Sequence, residues 1–146
     1  MRSSTSRSAN DAWESLLTAH STLLKQMQAA DIWHEVSMRE YDVLYTLSKC
    51  AGPLRQNELS QHVLLSQPAI SRMVDRLVAR RMVRRAADPT DGRGVLLALT
   101  EKGAAVQRRI GARHARDVAR LVASRLTMDE LAELERLTRK LSEPQT

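Results

Sequence analysis

Apolar positions recur along most of this chain at the three-and-four spacing of helices, interrupted once by a short β-prone stretch. Trp13, Leu16, Leu17, His20, Leu23, Leu24 and Met27 fall on one stripe, which predicts a first helix over about 11–32 with a polar opposite face. A helix of that length in a small protein commonly packs against a second subunit. Met38, Tyr41, Leu44, Tyr45 and Leu47 predict a second helix, opened by a Ser37/Glu40 capping box and ended after Cys50 by Gly52-Pro53. Leu54-Arg55 leaves room for a very short strand. Asn57 is the expected cap of a third helix reaching Val63, and Leu64-Leu65 the turn that follows. Ser66 is the expected N-cap of a fourth helix, with Pro68 in its first turn where the missing amide costs nothing. That helix extends to about Arg81. Ile70, Met73, Val74, Leu77 and Val78 face inward, and Pro68, Arg72, Asp75, Arg76 and Ala79 face out.

The pattern then changes. Val83–Ala87 and Val95–Leu99 are β-prone, and Asp88-Pro89 and Asp91-Gly92 between them are turn-forming pairs. This predicts a β-hairpin with Arg93 at its tip. Thr100 starts a long fifth helix with the stripe Val106, Ile110, His114, Val118, Leu121 and Val122. A Thr127/Glu130 capping box opens a sixth, with Leu131, Leu134, Leu137 and Leu141 inward and a polar tail from Ser142. Residues 1–9 are expected to form a disordered tail. The fold class is mainly α with a small β-hairpin: a winged helix-turn-helix lobe over 37–100, flanked by dimerisation helices over 10–33 and 101–141, all one unit.

Composition narrows this picture. Hydrophobic residues make up 42% of the 146 residues but aromatics only 3%, so the core must be built from Leu, Val, Ile, Met and Ala. No apolar run approaches the ~18 residues of a membrane span. The opening MRSSTSRSAN has no apolar segment behind its charges, so no secretory signal is expected. A single cysteine, Cys50, excludes an internal disulfide. Together these suggest a cytoplasmic protein with no membrane partner. The net charge is +6. Positions 72–93 hold seven arginines against three aspartates, an excess of four that is two thirds of the total. A basic excess so concentrated points to a polyanionic partner.

The third and fourth helices fit a helix-turn-helix whose second member enters the major groove. Ser66, Gln67 and Ser71 are short donors and acceptors, and the Ser66 end offers free amides to phosphate. Arg72 suits a bidentate contact to guanine, and Arg76, one turn on, a phosphate. Arg93 suits a narrow minor groove, supported by the basic pair Arg84-Arg85. Asp91 is expected to point inward as a brace, accepting hydrogen bonds from the tip or from Arg84 or Arg85. A second reading is a winged-helix module that binds an acidic protein partner. No nucleophile elbow, phosphate loop or paired carboxylates suggest an enzyme, and the four scattered histidines suggest neither metal nor cofactor.

The order of elements, with Arg76-Leu77, Arg84-Arg85, Asp91-Gly92-Arg93 and Leu99-Thr100-Glu101-Lys102-Gly103, resembles the MarR family of bacterial transcription regulators. Asp91 and Arg93 match its D-x-R wing motif, and Leu99, Thr100 and Gly103 its L-T-x-x-G. The resemblance covers about 11–141. It implies a homodimer held by helices from both termini, usually a repressor, on a pseudo-palindromic duplex site. It also implies release of DNA by a small phenolic or other anionic effector, for which Trp13, His20, Trp33, His34, Tyr41 and His114 are the candidate lining residues. Trp13 and His20 also fit a dimer core. The family's peroxide sensors carry a cysteine near the start of the first helix; here none lies there, and Cys50 is expected to be a buried thiol. The family often has glycine just after the recognition helix, where this chain has Arg81.

Overall fold

The computed structural model describes residues 2–63 and 65–144, with side chains from Ser4 onward. Met1, the turn residue Leu64 and the last two residues of the polar tail lie outside the described residues. The elements are α1 (Arg2–Gln28), α2 (Met38–Lys49), β1 (Leu54–Arg55), α3 (Gln56–His62), α4 (Gln67–Ala79), β2 (Val83–Asp88), β3 (Asp91–Leu99), α5 (Glu101–Val118), a π-helical turn (Ala119–Ala123) and α6 (Met128–Ser142). The chain forms two compact units rather than one. The first joins residues up to Ala30 with those from His114; the second is Asp31–Arg113.

The second unit holds the main core. Val43, Leu44, Leu59, Ile70, Val74, Leu77 and Leu97 are fully buried in it. The α4 pattern is as its spacing predicted: Ile70, Met73, Val74 and Leu77 are buried, and Pro68, Arg72, Asp75, Arg76 and Ala79 are exposed. In α2 the expected face is corrected. Val43 is buried and Tyr45 is 40% exposed, because Tyr41, Val43, Leu44 and Leu47 define the inner face and Tyr45 lies on its flank at 100° per residue. Tyr45 instead stacks on Tyr41, with ring centroids 5.9 Å apart, and Lys49 lies over its ring. Both capping boxes form, Ser37 with Glu40 and Thr127 with Glu130. Asn57 is not a cap. Arg55 holds the N-cap position, and α3 starts two residues earlier than expected.

The sheet has the order β1-β3-β2, all antiparallel. β2 and β3 pair from Val83 with Leu99 to Ala87 with Val95. The register then shifts, and Asp88 pairs with Asp91. The hairpin turn is therefore Pro89-Thr90 alone. Asp91-Gly92, expected as a second turn, begins the long strand, and residues 92–94 form a bulge with Arg93 in its middle.

In the first unit α1 reaches back to Arg2, so residues 2–9, expected as a disordered tail, are helical, and α1 ends at Gln28 rather than Ile32. The tail has no Pro or Gly to interrupt the backbone ladder, and its described side chains are all exposed. None of the α1 stripe is fully buried: Leu16, Leu23, Leu24 and Met27 are half-buried, and Trp13 and Leu17 are exposed. Of the α6 leucines expected to face inward, Leu131 is half-buried and Leu134, Leu137 and Leu141 are exposed, and that helix buries no residue fully. No described helix is long and apolar enough to cross a membrane.

Candidate nucleic-acid interface

α4 is fixed at both ends. At its start the Ser66 hydroxyl accepts a hydrogen bond from the Ala69 amide. The Gln67 side-chain amide donates to Ser60 Oγ at 2.7 Å, tying the first turn of α4 to α3. At its end Met82 N donates to Leu77 O and Arg81 N to Val78 O, the bond pair of a Schellman motif. Leu77 and Met82, the apolar pair of that motif, are both buried. Arg81 adopts φ 61°, the left-handed conformation that its place after the helix requires.

Two residues of the next junction hold this corner. Thr100 Oγ1 donates to Arg81 O and accepts from the Gly103 amide, and Thr100 N donates to Met82 O. Lys102 Nζ donates to Arg80 O at 3.0 Å. A Cβ on Gly103 would stand 1.9 Å from Met82 O, so only glycine fits there. The L-T-x-x-G pattern is thus a packing requirement: threonine caps α5 and glycine lets it approach the Met82 carbonyl.

The hairpin brace is not the expected residue. Asp91 is exposed, and among the described residues its carboxylate accepts only from the Arg93 amide, at 3.1 Å, within the tip. Asp88 is the buried carboxylate, 5% exposed. Its Oδ1 accepts from Thr90 N and Thr90 Oγ1, and its Oδ2 from Arg55 Nε at 2.7 Å. The Arg55 guanidinium also pairs with Oδ2 through Nη2. The Thr90 hydrogen bonds, and after them the Arg55 guanidinium, hold the Asp88 carboxyl down to about 2. Thr90 lies two residues on, within reach of a local reading, but Arg55, 33 positions away, is not marked by anything near Asp88 in the sequence.

The arginines divide into two sets. Arg85 pairs with Asp75 of α4 rather than with Asp91. Arg80 bonds to Glu40 and to the Glu35 carbonyl. Arg72, Arg76, Arg84 and Arg93 are exposed and make no ion pair among the described residues. Ser71 is half-buried beside Arg72.

The six candidate effector residues are divided between the two units. Trp13, His20 and His114 belong to the first unit, and Trp33, His34 and Tyr41 to the second. Trp33 and Tyr41 meet, with ring centroids 5.7 Å apart, but Tyr41 is a core residue whose hydroxyl is pushed up by burial. His34 is exposed beside Asp31. Cys50 is half-buried rather than buried. Its thiol donates to Thr46 O, and it lines a cleft with Tyr45, Lys49 and His62. Among the described residues no three metal-ligating side chains converge.

The MarR family profile matches residues 34–94. The multiple antibiotic resistance protein MarR of Salmonella typhimurium is 34% identical over 107 residues, covering 73% of this chain and 74% of that protein. The chain belongs to the MarR family. Among solved structures, the MarR-family regulator Sco3205 of Streptomyces coelicolor, determined in complex with DNA, is similar with a TM-score of 0.78 and 27% identity, over 92% of this chain and 85% of that one. The PcaV regulator of the same organism, determined with its natural ligand, gives 0.68 and 33% identity, over 90% and 89%. This MarR-family chain is a DNA-binding transcription regulator. The reading as a module for an acidic protein partner is not favoured, and the family is one of regulators rather than enzymes.

Proposed function

We propose that this MarR-family regulator acts as a homodimeric repressor on a pseudo-palindromic duplex site. Each subunit presents α4 to the major groove, with Arg72 to a guanine edge and Ser66, Gln67, Ser71 and Arg76 to neighbouring bases and phosphates. The hairpin carries Arg93 to the adjacent minor groove, with Arg84 on its backbone. Arg85 serves the same surface through its link to α4. The observation that carries this reading is the division of the arginines. Among the described residues, those on the outer face of α4 and at the hairpin bulge have no carboxylate partner, whereas Arg55, Arg80 and Arg85 are engaged within the lobe. Unpaired exposed guanidinium groups are the ones available to displace counterions from a phosphate backbone.

A small anionic or phenolic effector relieves this binding; the ligand complex of PcaV supports that part. Such a protein works in the cytoplasm, on the nucleoid. Fluorescence anisotropy with a duplex spanning the chain's own promoter tests the reading. Arg72→Ala is expected to weaken binding by about 1–3 kcal/mol and relax base preference at one position. Arg93→Ala is expected to weaken binding without lowering the melting temperature. Unchanged affinity in both variants would refute the assignment.

A further inference from the structure

The buried carboxylate of the hairpin has no role in the surface just proposed. Asp88 is the one charged residue among the buried described residues. It stands at the register shift, one step before the two-residue turn, and four hydrogen-bond or ionic contacts from Thr90 and Arg55 converge on it. Arg55 Nη2 also donates to Thr90 Oγ1 at 3.2 Å, closing a ring of three side chains. Arg55 itself occupies the N-cap position at the start of α3, with its side chain turned to the hairpin rather than to the helix amides. The ring therefore joins the hairpin turn directly to the first residue of the helix-turn-helix. On its other side lies Gly94, where a Cβ would stand 3.0 Å from the Asp88 Cβ and 3.2 Å from its Oδ2. Gly94 is the last residue of the bulge that holds Arg93, and the carboxylate of Asp91, just before it, accepts from the Arg93 amide.

A two-stranded ribbon beyond the edge of a sheet is soft, and a bulge of three residues is softer. An arginine presented from such a tip must lose conformational freedom when it enters a groove, and that loss weakens binding unless the tip is already held. We infer that Arg55, Asp88 and Thr90 are positioning residues for DNA binding: they clasp the hairpin turn to the start of α3 and so hold Arg93 at a fixed reach from α4. The inference rests on the proposed function, because it assigns a purpose to the hairpin only if Arg93 meets DNA. Arg55, though basic and partly exposed, is then a strut within the lobe and not a phosphate contact.

The test is a double-mutant cycle with Asp88→Asn and Arg93→Ala, read as affinity for a duplex spanning the chain's own promoter. A random duplex of equal length serves as control. Melting temperature is followed for every variant. Asp88→Asn is expected to weaken binding about tenfold when Arg93 is present and less than twofold when it is absent, a coupling of the size seen for residues that act as a unit. Arg55→Gln, which loosens the same ring from the other strand, should reproduce that dependence on Arg93 if Asp88→Asn fails to fold. A residue that only stabilised the lobe would lower the melting temperature and weaken binding equally in both backgrounds. Losses that add, with Arg93→Ala itself effective, would overturn the clasp alone. An ineffective Arg93→Ala would overturn the hairpin part of the proposed function, and the clasp with it.

Discussion

Three single residues carry conformational demands that can be measured. Arg81 holds a left-handed backbone that costs a side chain-bearing residue about 1 kcal/mol or more relative to glycine. Arg81→Gly is therefore expected to raise stability by up to about 1 kcal/mol, part of the gain being lost to glycine's greater freedom when unfolded; urea denaturation measures it. Gly103→Ala should cost about 3 kcal/mol or more, since its Cβ would overlap the Met82 carbonyl and neither backbone can withdraw without moving a core residue. Asp88 makes an acid-side prediction. Its carboxyl is held at about 2 in the fold, against about 4 when unfolded. A depressed carboxyl contributes stability that is present above the unfolded value and lost as pH falls towards the folded one. The melting-temperature difference between the parent and Asp88→Asn should thus be constant above about pH 5 and shrink between about 4 and 2. A difference that persisted unchanged to pH 2 would show that the charge of Asp88 does not contribute.

At the scale of elements, the sequence was readable where structure is set by near neighbours. Both capping boxes, the two faces of α4 and the short β1 follow from residues within a turn or two of one another. The hairpin was legible as a hairpin but not in its register. Asp88-Pro89 and Asp91-Gly92 are equally good turn pairs; the turn forms at Pro89-Thr90, where Asp88 is held by Thr90 within the turn and by Arg55, a partner distant in the chain. The same long-range contact hid the true brace and left Asp91 as the apparent one. Tyr45 misled because apolar spacing alone does not tell the centre of a helix face from its flank. An electrostatic prediction belongs here as well. In the proposed interface Arg72, Arg76, Arg84 and Arg93 meet phosphate or base, and binding is then expected to fall steeply with salt. Arg76→Ala should reduce the slope of log affinity against log salt by about one per subunit without changing base preference. An unaltered slope would remove Arg76 from the interface.

For the whole molecule, the unit built from the chain ends poses the main question of stability. Trp13 is 57% exposed, Leu137 45%, Leu141 75% and Met128 80%, and α6 has no buried residue. Helices so sparsely covered seldom hold in water by propensity alone, which supports their burial against a second copy. Replacing Leu137 and Leu141 together by Glu should give a monomer by light scattering. It should also weaken binding to a two-half-site duplex at least about a hundredfold, because the second lobe loses its high effective concentration at the site. A dimer that survived this change would move the interface elsewhere. The corner where α4 ends has a different consequence. Arg80, Arg81 and Met82 offer three successive carbonyls, and Lys102 and Thr100 take all three. The recognition helix, the root of the hairpin and the first turn of α5 are thereby pinned at one point, like the arms of a bell crank. A displacement of the start of α5 is therefore expected to turn α4 and the hairpin together, changing the aim of the lobe rather than its span.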